Sequence, residues 1–133
     1  MEGEKTHKRK EIVGLVARVK VRGEGGEKEV LALFDTGATR TSIDKSLAKE
    51  LGLKRKNKKV KVKSKTAEQG YVMRGIYSAE IEIGDKKFKV EANVADRSNM
   101  MCPVLIGRDI IHGNFVIDIT RTHFSNRLRD MKK

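Results

Sequence analysis

Tryptophan is absent from this 133-residue chain, proline and cysteine occur once each, and the aromatic residues are two tyrosines and four phenylalanines. One cysteine excludes an intrachain disulfide, and Cys102, lying between Met100-Met101 and Pro103, reads as a small apolar group in a reducing, cytoplasmic protein. No apolar run approaches the roughly 20 residues needed to span a bilayer. The N-terminus offers Glu2, Glu4, Lys5, His7, Lys8, Arg9 and Lys10 where a signal peptide has its apolar stretch, so a soluble, uncleaved chain with no membrane association is expected. His7, His112 and His123 are scattered, there is no His-Glu-x-x-His, and one cysteine cannot build a zinc site of the usual spacing. No metal and no cofactor are therefore expected. Ser42 lacks a Gly-x-Ser-x-Gly elbow, and no glycine-rich loop runs into Lys-Ser or Lys-Thr, which removes the common signs of a serine hydrolase and of a nucleotide site.

Acidic residues are also in short supply. Eighteen Asp and Glu face thirty Lys and Arg, for a formal charge of +12 and a pI near 10. Much of the excess sits between Lys54 and Lys65, where Lys54, Arg55, Lys56, Lys58, Lys59, Lys61, Lys63 and Lys65 crowd together. Such a segment suits a solvated surface, an acidic partner or nucleic acid. The lack of any aromatic residue within it removes the stacking platforms of a single-strand binder.

What is present is mostly β-patterned. A hydrophobic fraction of 38% supports one modest core and hence one domain. A polar head, 1–11, precedes a domain at 12–120, and a polar tail follows at 121–133. The residues Ile12 to Val21 read as a strand, Gly23, Gly25 and Gly26 as a turn, and Val30-Leu31-Ala32-Leu33-Phe34 as a strand buried on both sides. Thr41 to Ile43 reads as a short return strand, followed by a helix capped by Asp44, carrying Leu47 and Leu51 and closed by Gly52. A long hairpin over Lys59 to Ala79 has its tip near Gly70. Clean period-2 alternation then marks strands at Ala79–Ile83 and Phe88–Val94, either side of Gly84-Asp85-Lys86. Pro103 to Gly107 is an apolar strand, Arg108 to Ile111 a helical turn, and Phe115 to Ile119 a last strand.

Asp35 stands out because the continuously apolar strand delivers the chain directly to it. A carboxylate at the mouth of such a strand is costly to leave ionised unless something holds it; Thr36 offers a hydroxyl and Gly37 lets the backbone approach closely. The stretch Leu33-Phe34-Asp35-Thr36-Gly37-Ala38, the hairpin, and Leu105-Ile106-Gly107-Arg108-Asp109-Ile110-Ile111 follow one another in an order that resembles the retropepsin-like aspartic proteases over roughly Ile12 to Ile119. Asp96-Arg97-Ser98-Asn99-Met100 leading to Pro103 is similar to a prokaryotic branch often labelled ATP-dependent zinc protease, although that label's zinc finds no ligand set here. The resemblance implies a mainly β, closed barrel with one or two short helices, acting as a symmetric homodimer. It implies catalysis by Asp35, Thr36 and Gly37, and substrate contacts from Ala38 and from Gln69, Gly70, Tyr71 and Met73 of the hairpin. Support of the site would come from Ile106, Gly107, Arg108 and Asp109. Retroviral members place an acid directly after the alanine to pair with the later arginine. Here that position is Thr39, leaving Asp109 and Asp44 as alternative partners for Arg108.

Peptide hydrolysis of this kind needs two carboxyl groups across one water, one to take its proton and one to polarise the scissile carbonyl. Asp44, Asp85, Asp96, Asp109, Asp118 and Asp130 are not followed by Thr-Gly or Ser-Gly. A homodimer bringing two Asp35 together would supply the pair, acting on an extended polypeptide bound by strand addition.

Overall fold

The computed structural model describes residues 9–121. The polar head and tail expected at 1–11 and 121–133, with His7 and His123, lie outside the described residues except for 9–11 and 121. Nine strands and two short helices follow in order: β1 (Glu11–Val13), β2 (Val16–Gly23), β3 (Gly26–Phe34), β4 (Ser42–Asp44), α1 (Lys45–Glu50), β5 (Lys54–Lys63), β6 (Tyr71–Ile83), β7 (Lys86–Ala95), β8 (Val104–Ile106), α2 (Arg108–Ile111) and β9 (Phe115–Ile117).

Seven strands form one sheet in the order β2-β3-β8-β4-β7-β6-β5, and β2 also pairs with β6. That extra pairing joins six of them into a closed ring, so the chain is a mainly β barrel with β5 laid on its outside as an edge strand. Closure rests on Lys20, Val21 and Arg22 opposite Glu82, Ile81 and Glu80. Arg22 seals it electrostatically, its guanidinium reaching Glu27, Glu80 and Glu82.

Inward-facing alternate residues of these strands make the core. Val19, Val21, Ala32, Phe34, Ile43, Ile81, Val104, Ile106 and Ile110 are buried in a single cluster with Leu47, Leu51 and Leu53 of the helix and its exit. Each Val, Leu, Ile or Phe side chain removed from water contributes about 1.5–3 kcal/mol. Phe34 meets Phe115 edge-on with ring centroids 5.8 Å apart, which ties the last strand to the strand that carries Asp35. The helix α1 forms as its local sequence requires: the Asp44 side chain accepts the Ser46 N–H at the N-cap, and Gly52 takes φ +60° just beyond the end.

The structure departs from the sequence reading at four points. The expected strand Ile12–Val21 is two strands, because the chain changes partner at Gly14: β1 lies parallel to β9, whereas the Leu15 carbonyl already accepts the Phe34 N–H at 2.8 Å. The hairpin begins at Lys54 rather than Lys59, so the basic run is itself a strand. Its second arm continues unbroken to Ile83, merging two expected strands into one of 13 residues. The last strand stops at Ile117 because Asp118 turns the chain, its carboxylate accepting the Thr120 N–H at 2.9 Å.

Candidate active site

The strand β3 enters the barrel parallel to β8, with Ala32, Leu33 and Phe34 opposite Val104, Leu105 and Ile106. Asp35 extends that ladder by one bond, its N–H donating to the Ile106 carbonyl at 2.9 Å. Its backbone is therefore fixed by sheet geometry. Beyond it the chain turns out of the sheet: the Gly37 N–H donates to Asp35 Oδ1 at 2.8 Å and the Ala38 N–H to the Asp35 carbonyl at 3.1 Å. A Cβ on Gly37 would sit 3.2 Å from Asp35 Oδ1. The absence of a side chain there keeps the carboxyl group uncrowded. Asp35 is half-buried, Thr36 and Gly37 are exposed, and among the described residues no donor meets the second carboxylate oxygen of Asp35.

The turn after Asp35 is stapled to the Gly107-Arg108-Asp109 segment. The Arg108 N–H donates to the Ala38 carbonyl at 2.8 Å, and its guanidinium donates to the Thr36 carbonyl at 2.9 Å and to Thr39 Oγ1 at 3.1 Å. Arg108 thus finds a carbonyl and a hydroxyl, and neither Asp109 nor Asp44 is its partner. Asp109 instead accepts the Thr41 N–H through both oxygens, at 3.1 and 3.0 Å, and the Thr41 hydroxyl at 2.8 Å. Asp44 caps α1 and accepts the Arg97 N–H at 2.7 Å. Thr41, fully buried, also receives the Gly107 N–H at 3.2 Å, closing the staple. Gly107 is required by close packing: a Cβ would lie 2.7 Å from the Arg40 carbonyl carbon and 3.0 Å from the Ala38 oxygen.

Sequence reasoning passed over Thr41, which does as much as Arg108 to hold the turn; its one visible signal is a threonine entering the short strand Ser42–Asp44. Ile106 is fully buried beneath the turn. The hairpin candidates are less closely grouped. Gln69 and Gly70 are exposed at a tip that closes on itself, the Ser64 N–H donating to the Gly70 carbonyl and the Gly70 N–H to Ala67. Met73, half-exposed, lines an outer groove with Arg55 to Lys59. Tyr71 carries Lys61 over its ring at 4.6 Å. By strand alternation the face shared with buried Ile76 belongs to Val72 and Arg74.

Arg97 completes the electrostatics. Its Nε donates to the Cys102 carbonyl at 3.1 Å. Burial pushes the guanidinium down from its ordinary value; Cys102, Asp44 and Asp35 oppose that shift and Arg74 adds to it. Burial likewise pushes the Cys102 thiol up, with Arg97 opposing. Arg74 and Arg97 therefore belong to the same field as Asp35. Among the described residues no three His, Cys, Asp or Glu side chains stand together in a way that would hold a metal ion, and no helix is long and apolar enough to cross a membrane.

A family model described as aspartyl protease matches residues 17–110. No curated protein matches the sequence. Among solved structures, the chain is similar to a protein of unknown function from Legionella pneumophila subsp. pneumophila str. Philadelphia 1, with 22% identity and a TM-score of 0.53 over 81% of this chain and 92% of that one. It is also similar to a foamy viral protease-reverse transcriptase in complex with an RNA/DNA hybrid, with 18% identity and a TM-score of 0.50 over 72% of this chain and 11% of that one. EIAV protease bound to an inhibitor aligns at 21% identity and a TM-score of 0.49, over 72% of this chain and 83% of that one.

Proposed function

The chain belongs to the aspartyl protease family and has a retropepsin-like fold, and from that premise we propose that it is an aspartic endopeptidase in which Asp35 from each of two chains activates one water. The observation that carries this reading is the state of the Asp35 carboxyl: one oxygen is held by the Gly37 N–H, and the other is open to a reactant. The turn that presents it is fixed by the hydrogen bonds of Arg108 and Asp109.

In the dimer, two carboxyl groups across one water share a single proton, since both cannot ionise cheaply at that separation. The ionised one takes a proton from water as its oxygen attacks the scissile carbonyl, and the protonated one donates to the carbonyl oxygen. The resulting tetrahedral diol collapses as the carboxyl group that took the water's proton gives it to the amide nitrogen and the other takes a proton back from a diol hydroxyl, breaking the C–N bond and restoring the shared proton. Thr36 and Gly37 frame the pair, and the β5–β6 hairpin covers an extended peptide and excludes water.

Exposed apolar side chains support the second chain. Ile12 and Val116 lie opposite each other across β1 and β9, with Leu15 and Ile119 in the adjoining segments, and all four remain 46% to 74% exposed. The unit performing this chemistry would be residues 12–120, acting on unfolded polypeptide. Asp35→Asn is expected to abolish cleavage of denatured casein while leaving the fold intact by circular dichroism, and a pepstatin-type inhibitor should slow the wild type. Undiminished cleavage by Asp35→Asn would remove the mechanism.

A further inference from the structure

A groove of about 450 Å³ opens between the hairpin and the end of β7. Three of its lining residues are cations, Lys45, Arg55 and Arg74, against one carboxylate, Asp96. Asp96 is already engaged: it accepts the Ser98 N–H at 2.9 Å, and the Ser98 hydroxyl and N–H together hold it below the usual carboxylate range. No carboxylate among the described residues lies within ion-pair distance of Lys45, Arg55 or Arg74. Lys45 also acts on Asp96 through its charge, so the groove carries an excess of positive charge, three cations over one carboxylate.

Its geometry is built rather than incidental. Arg55 lies across β6 at Gly75, where a Cβ would come within 3.5 Å of its Nε and of one terminal guanidinium nitrogen. The guanidinium thus rests over the strand at ordinary contact distance. Arg74 shares the face of buried Ile76, and Arg97, half-buried behind it, feels the charges of both Arg74 and Asp35. Val72, Val94 and Ala95 supply apolar wall between the charges.

We propose that this groove holds an acidic side chain of the substrate, its carboxylate gripped by the guanidinium of Arg74, with Arg55 reaching the same rim over Gly75 from the other face of β6, and its methylenes lying on Val72. The assignment rests on reading Asp35 as the cleavage site. A planar guanidinium meets a carboxylate through two parallel bonds, a fit that lysine does not offer, which is why two arginines at the groove select a carboxylate rather than a bare negative charge. The groove thus ranks peptides: one presenting glutamate at the matching position binds, and its glutamine counterpart leaves two arginines unanswered.

The test measures binding apart from turnover. Full-length Asp35→Asn protein is titrated with fluorescein-labelled octapeptide pools in which one position at a time is fixed as Glu, as Gln or as Lys, the rest being randomised. At one or two positions the Glu pool should bind about tenfold more tightly, the gain of a charge-assisted pair over a neutral one. Arg74→Gln should bring that ratio close to one, and Arg74→Glu should turn the preference from Glu to Lys, a reversal that misfolding does not produce. A ratio near one at every position, or a ratio unmoved by either substitution, overturns the inference. If the ratio is found and the wild type cleaves none of the pools, the proteolytic reading fails and the carboxylate site stands.

Discussion

At Gly107 a single hydrogen atom decides whether the Asp35 turn can dock. The backbone of Arg40 and Ala38 passes so close that a methyl group would force the turn outward. Gly107→Ala is expected to lower stability by about 1–3 kcal/mol, the range for overpacking a close-packed site, read from the urea midpoint. Asp44 makes a second prediction at this scale. Burial alone would push its carboxyl group up, but hydrogen bonds from the Ser46 hydroxyl and from the N–H groups of Arg97, Leu47 and Ser46 hold it below the usual range. A folded-state value below the unfolded one means that the stabilisation is present above the unfolded aspartate range and is lost as pH falls through the folded value. Asp44→Ala should cost about 1–2 kcal/mol at neutral pH, typical of a lost N-cap, and its urea midpoint should fall less on acidification than that of the wild type. Residue identity also shows what the sequence conceals. Asp35 is legible because an acid ends an apolar run. The partners of Arg108 are not, because Thr39 and the Thr36 carbonyl are brought to it only by the parallel pairing of β3 with β8.

Elements set by local chemistry are the ones the sequence discloses. The helix α1 follows from Asp44 and Gly52, and the hairpin tip from Gly70, which takes φ +85°. Elements set by distant partners are hidden. Nothing in Lys54 to Lys58 alternates, and the segment becomes a strand because β6 provides a template, Lys54 and Arg55 lying opposite Ser78 and Tyr77. A bulge between Arg55 and Lys59 then breaks the register. Beside it Lys58 reaches Glu91 of β7 at 2.7 Å and Lys56 approaches the same carboxylate at 3.9 Å. Glu91 thereby ties the outer arm of the hairpin to the strand behind it, and its carbonyl takes a bond from Arg40, just past the Asp35 turn, at 3.1 Å. The lysines along this open edge also discourage pairing with another sheet, giving the basic run a role within the fold.

For the whole molecule, period-2 alternation and one apolar complement were enough to foresee a small β domain. They could not disclose that β2 pairs with both β3 and β6, the contact that turns a sheet into a closed ring. Assembly is the property most open to test. If the exposed apolar residues of β1 and β9 meet a second chain, Val116→Asp should shift sedimentation from dimer to monomer and remove cleavage together with it, since each chain brings one Asp35. A dimer that persists in the variant would place the interface elsewhere. The same two strands carry a mechanical consequence. Because β1 and β9 run parallel, with Glu11 beside Phe115 and Val13 beside Ile117, tension drawing Glu11 and Ile117 apart would load their shared bonds in shear, all at once, rather than peeling them singly. This short pair is thus a clasp near the two ends of the described chain, so that a pull along the backbone would load it in shear before the barrel itself is strained.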